Sequence, residues 1–143
     1  MSMLELHYTV PGDDFTRAGE ASGDVKQKLK KIGYDPDAIR RVSISMYEGE
    51  INMVIHAGGG EALVDIDPDR VELLLSDQGP GIADVEKAMQ AGWSTAPDNV
   101  RSLGFGAGMG LPNMKKYSDE MSVTSTVGEG TQVRMVIFPH KTE

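Results

Sequence analysis

Three stretches of the chain combine residue types that can hold a nucleotide and move a proton. In the first, Glu48, Asn52 and His56 follow one another at every fourth position, which places them on one face of a helix. An asparagine offers a neutral oxygen suited to Mg²⁺ that already carries phosphate ligands. A carboxylate one turn away can take a proton from a nucleophile. Gly49 beside them costs a helix about 0.5–1 kcal/mol against alanine. Taken alone, such a pair also fits a solvated polar face. The second stretch is Ser76-Asp77-Gln78-Gly79-Pro80-Gly81, where Gly79 and Gly81 allow close backbone approach beside an aspartate. By itself it also reads as a turn that ends a strand. The third is Gly104-Phe105-Gly106-Ala107-Gly108-Met109-Gly110. Alternating glycines leading into a helix bare the backbone amides and form an anion site. No Gly-Lys-Ser/Thr follows, and the dinucleotide-binding glycine spacing fails, so neither common phosphate loop is present.

The elements that must position these residues are legible in the pattern. Leu4, Leu6, Tyr8 and Val10 alternate with polar residues as a half-buried strand does. Phe15, Ala18, Ser22, Val25, Leu29 and Ile32 follow helical spacing, with Gly33 as the stop. Asp35 and Pro36 open a second helix as N-cap and first residue, and the run Gly58-Gly59-Gly60 ends it near Ala57. Strands are expected over Ala62 to Ile66 and Val71 to Leu75, joined by Asp67-Pro68-Asp69. The apolar run of the second predicts a central sheet position. A short helix is expected over Ala83 to Ala91. Residues 92–110 lack any period and are long enough for a functional lid. A helix resumes near Leu111, and two last strands span about Met121 to Val127 and Thr131 to Phe138. Strand pairs joined by short turns predict an α/β (α+β) two-layer sandwich with a mixed, mainly antiparallel sheet, not a doubly wound fold.

The bulk composition narrows the function. The 143 residues suit one domain. The net charge of −8 makes the chain a poor counterion for nucleic acid. It also means that a nucleotide site must rely on local donors and a metal ion. No apolar run reaches the ~20 residues of a membrane span, and the N-terminus has no signal-peptide pattern. The lack of cysteine excludes disulfides and thiolate metal sites. A cytoplasmic protein is expected, with no nucleic-acid or membrane partner. His7 and His140 have no partners at ligand spacing, and His56 reads as a packed residue at a helix end. Asp65, Asp67 and Asp69 imitate a calcium loop, but Arg70 and Ser76 stand where its glycine and glutamate belong.

In order and separation, these stretches resemble the ATPase superfamily of gyrase, the heat-shock chaperone, histidine kinases and mismatch-repair ATPases, with its Bergerat fold. Glu48-Gly49-Glu50-Ile51-Asn52-Met53-Val54-Ile55-His56-Ala57 is similar to its N box, and Asp77-Gln78-Gly79-Pro80-Gly81-Ile82 to its first glycine box. Gly104 to Gly110 is similar to its second, and Gly128-Glu129-Gly130-Thr131 to its closing turn. The N-terminal strand and helix and the segment Gly108-Met109-Gly110-Leu111-Pro112-Asn113-Met114-Lys115-Lys116 resemble the anti-sigma-factor serine kinases and stressosome switch kinases. Residues 96–103 look longer than in switch kinases. The resemblance implies one histidine-kinase-like ATPase domain over 1–143, with a lid at about 92–110.

It further implies ATP or ADP with Mg²⁺ as ligands. Asn52 would hold the metal. Asp77 would accept from the adenine amino group, and Gly79 and Gly81 would let the base approach. Gly104, Gly106, Gly108 and Gly110, with Leu111, would wrap the phosphates. Thr131 would complete the adenine pocket, and Glu48 would be the general base for a substrate serine. The implied function is a serine/threonine protein kinase that phosphorylates an anti-anti-sigma (STAS-like) regulator, or acts on a sigma factor, with homodimerisation compatible. The alternative is a module that sequesters such a regulator under ATP control without chemistry. Arg17 falls where anti-sigma kinases meet their partners.

Overall fold

Asp35 caps the long central helix as its sequence position requires. Its carboxylate accepts the Ala38 N–H at 3.1 Å, and Pro36 is the first helical residue. The computed structural model describes residues 4–12, 17–82, 89 and 110–139. Within them the order is β1 (Leu4–Pro11), α1 (Glu20–Lys31), α2 (Pro36–Ala57), β2 (Gly59–Ile66), β3 (Val71–Asp77), α3 (Gly110–Tyr117), β4 (Glu120–Thr126) and β5 (Gly130–Ile137). The expected short helix over 83–91 and the expected lid fall almost wholly outside the described residues.

The strands form a five-stranded sheet in the order β1-β2-β3-β5-β4. Every pairing among them is antiparallel, so the parallel component allowed for by a mixed sheet is not found among the described residues. β3 takes the central place that its apolar run predicted. Val71, Leu73 and Leu75 are buried on the helical side, while Glu72 and Leu74 on the other face are only partly covered. Side chains alternate across a strand, so one face packs and the other faces water. The helices lie on the packed face, α2 between α1 and α3. Val25, Leu29, Val42, Met46, Leu73, Met114 and Met135 are fully buried between the two layers.

β3 runs on to Asp77 rather than ending at Leu75, and two element starts differ more from the sequence expectation. β2 starts at Gly59 rather than Ala62, because Gly59 and Gly60 pair with Pro11 and Val10 across the sheet. α1 starts at Glu20, after Gly19 turns the chain at φ +99°; Phe15 lies outside the described residues. No side chain from Gly19 can cap α1, and Glu50 of α2 does so instead. Its carboxylate accepts the N–H groups of Gly19 (3.0 Å), Ala21 (3.3 Å) and Ser22 (2.7 Å). These are amides that a helix leaves unsatisfied at its first turn, so a residue buried to 1% exposure is fully provided with donors.

Candidate functional site

The candidate residues lie along the C-terminal half of α2 and the elements that flank it. Gly49 is the residue that lets them close in. A methyl group built there would stand 2.0 Å from Leu75 Cδ1 and 3.7 Å from Met114 Sδ. The helix tolerates this glycine because the bare backbone lets β3 and α3 approach.

That packing sets Glu48 against α3. The carboxylate is partly exposed, and its Oε1 accepts a 3.3 Å hydrogen bond from Asn113 Nδ2. Burial pushes the Glu48 carboxyl above the ordinary glutamate range, and the Asn113 bond opposes that shift. One turn on, Asn52 is partly exposed and makes no side-chain hydrogen bond among the described residues, leaving its amide oxygen open. His56, a turn further, is partly buried. Burial lowers its pKa, and the charge of Asp77 works the other way. It belongs with packed histidines at a helix end.

Asp77 closes β3 as the sequence placed it. Its Oδ1 accepts the N–H groups of Gly79 at 3.0 Å and Thr131 at 3.2 Å. The first is a turn that the aspartate makes with its own loop. The second follows from β-pairing, since Asp77 and Thr131 are register partners. Both bonds use one oxygen, and no donor among the described residues reaches Oδ2. Gly81 sits at φ +78°, and a methyl group there would stand 2.4 Å from the Thr126 carbonyl oxygen, so only glycine fits.

Ser125 is a participant that the sequence did not reveal. Its hydroxyl accepts the Ile82 N–H at 2.7 Å and lies 2.8 Å from Thr131 Oγ1. It ties the loop after Gly81 to Thr131, and only the β4–β5 register, which sets Ser125 opposite Thr131, discloses it. Glu50 and Asn113 were likewise part of quoted motifs with no role of their own.

Gly104, Gly106 and Gly108 lie outside the described residues. Gly110 opens α3, where the first-turn amides have no partner within the helix. Leu111 is buried to 7% exposure. What it can offer a phosphate is its backbone N–H.

The donor set suits a magnesium nucleotide. No group of three or more histidine, cysteine or acidic side chains that could cage a metal occurs among the described residues. Mg²⁺ bound to phosphates needs few protein ligands and keeps several waters, a demand that a single amide oxygen such as that of Asn52 can meet.

The histidine kinase-like ATPase domain model matches residues 14–137. The chain belongs to that family. Among relatives of this ATPase domain, it is 32% identical over 111 residues to the serine/threonine-protein kinase RsbT of Bacillus subtilis, covering 75% of this chain and 77% of that protein. It is 35% identical over 107 residues to an anti-sigma F factor of Caldanaerobacter subterraneus, covering 71% of each. An anti-sigma F factor of Pasteuria penetrans is 38% identical over 96 residues, which span 62% of this chain and 61% of that protein. In fold, the ATPase domain matches the RsbU and RsbW domains of a Mycobacterium tuberculosis protein with a TM-score of 0.62 at 17% identity, over 95% of this chain and 32% of that one. The mycobacterial sensor histidine kinase MprB matches with a TM-score of 0.54 at 17% identity, over 97% of this chain and all of that one. This histidine kinase-like domain is therefore an ATP-binding protein of the switch and anti-sigma kinase type. No helix among its described residues is long and apolar enough to cross a membrane.

Proposed function

We propose that this chain transfers the γ-phosphoryl group of ATP to a serine or threonine hydroxyl of a STAS-like regulator, with Glu48 as the base. The observation that carries the proposal is a partly exposed carboxylate on α2, one turn before an asparagine whose side-chain amide makes no hydrogen bond among the described residues. In this reading the hydroxyl proton passes to Glu48 as the oxygen–phosphorus bond forms. The bond from the γ-phosphorus to the bridging oxygen breaks, and ADP leaves. Phosphoryl transfer asks mainly for positioning and for charge stabilisation. Asn52 would hold Mg²⁺, which when bound would supply the charge neutralisation that an acidic chain lacks.

The remaining roles belong to the nucleotide. Asp77 Oδ2 accepts from the adenine amino group, while Oδ1 holds the loop and Thr131 in place. Gly79 and Gly81 keep the loop backbone bare beside the base. Thr131, steadied by Ser125, borders the same pocket. Gly110 and the Leu111 amide would meet the phosphates, and the same role is proposed for Gly104, Gly106 and Gly108, which lie outside the described residues. Residues 1–143 act as one ATPase domain, and the partner is another protein.

The test offers radiolabelled ATP and Mg²⁺ to STAS-domain proteins of the source genome, one at a time. Transfer to one of them is expected. Glu48→Ala is expected to abolish it while Mg-ATP still raises the melting temperature. Nucleotide-dependent binding of a regulator with no phosphoprotein formed would instead establish the non-catalytic module.

A further inference from the structure

We propose that Asn113 is a positioning residue that holds the Glu48 carboxylate in its working orientation and ties it to the first turn of α3. The inference rests on Glu48 acting as the base, and it assigns that base a dedicated partner on another element.

Two adjacent contacts carry it. Met114 is completely buried and lies beside Gly49, where a methyl group would sit 3.7 Å from its sulfur. Its neighbour in sequence, Asn113, then meets Glu48, the neighbour of Gly49, at 3.3 Å. The helix-to-helix register is thus set by an apolar contact, and the polar contact next to it falls on the proposed base. Asn113 is the only side chain among the described residues that hydrogen-bonds Glu48. Burial disfavours the ionised carboxylate, and a neutral amide donor restores part of the hydration that it lost without pairing off its charge. A lysine in the same place would bind the carboxylate more strongly and leave a weaker base. The amide suits a group that must be oriented and still accept a proton.

Asn113 also follows Gly110 by three residues, on the same turn of α3. A shift of the α3 N-terminus therefore carries the donor with it. Base orientation and the end of the glycine run become one mechanical unit.

The isosteric change Asn113→Asp keeps size and packing but sets an acceptor against an acceptor. It is expected to slow transfer to the STAS-domain acceptor roughly 10–100-fold, the scale of a misplaced catalytic group. The loss should fall on kcat, with KM for ATP and the Mg-ATP thermal shift retained. Asn113→Gln, which keeps the donor on a longer arm, should recover part of the rate. Wild-type transfer in Asn113→Asp overturns the inference. So does an equal loss in both variants accompanied by lower melting temperature and weaker ATP binding, which marks a structural role. A second readout needs no acceptor. In ¹⁵N-labelled protein the Asn113 side-chain amide signals should move on Glu48→Ala, and unmoved signals overturn the contact. Moved signals together with wild-type transfer by Glu48→Ala overturn the role of the base instead, so the two failures are separable.

Discussion

At the scale of single residues, the proposed site rests on two carboxylates in contrasting settings. Asp77 accepts two backbone N–H groups on one oxygen, so Asp77→Asn can keep both bonds through its carbonyl. In the proposed adenine pocket its NH₂ would replace Oδ2 and face the adenine amino group donor to donor. The expected result in a nucleotide titration is a loss of about 1–3 kcal/mol in ATP affinity, with little change in the melting temperature of the nucleotide-free protein. Glu48 instead meets one side-chain amide, and burial raises its pKa. A raised carboxyl favours the folded state when protonated, so its contribution is present below the unfolded-state value and is lost as pH rises through the folded value. Glu48→Gln should therefore melt higher than wild type at pH 7, with the gain vanishing below about pH 4, near the ordinary glutamate range. The phosphotransfer rate should fall as acid protonates the same group. Thermal melts across pH, paired with rate measurements, read both effects.

At the scale of elements, α2 organises both of its neighbours. On one side Glu50 caps α1 from a distance in sequence; on the other Gly49 admits Leu75 and Met114. Glu50→Ala leaves buried amides without partners and should cost about 2–3 kcal/mol, with faster hydrogen exchange at residues 19–22. Glu50→Gln should not fully restore stability, because both oxygens accept from N–H groups and the amide nitrogen must face a donor. Gly49→Ala sets two effects against each other. Helix propensity gains about 1 kcal/mol, while overpacking against Leu75 costs about 1–3 kcal/mol. A methyl group at 2.0 Å puts the cost at the upper end. The variant should unfold at lower urea with an unchanged m-value.

At the scale of the whole molecule, the helical layer and the far strands are fastened at one corner. Arg41 of α2 pairs with Asp119 at 2.8 Å and donates to the Phe138 carbonyl at 2.5 Å, joining α2 to the chain on either side of β4 and β5. The residues proposed to hold the nucleotide lie toward the other end of α2, on α2, β3, β5 and α3 together. A ligand that touches several elements of a folded chain stabilises all of them. At 100 times its dissociation constant Mg-ATP should add about 2.7 kcal/mol, a rise of several degrees in melting temperature. Asn52→Ala should shrink the rise with Mg-ATP more than the rise with ATP alone. Equal effects would count against Asn52 as the metal ligand.

How much of this was legible beforehand differs by the range of the interaction involved. The cap at Asp35, the stop at Gly58, the alternation of β1 and the strand-end Asp77 follow from local rules, and the sequence by itself determined them. The order of the glycine-bearing stretches after Glu48 and Asn52 pointed to an ATP-binding sandwich only through its resemblance to a known family, a resemblance that the match over residues 14–137 bears out. The tertiary structure alone decided that Glu50 caps a helix some thirty residues away, that Ser125 steadies Thr131, and that Asn113 reaches Glu48. Each of those pairings depends on strand register or on one helix sliding to its packed position over another. Register and packing are fixed by the sum of many apolar contacts spread over the chain. No short motif carries that sum, so candidate residues could be named from the sequence while the neighbours that touch them could not.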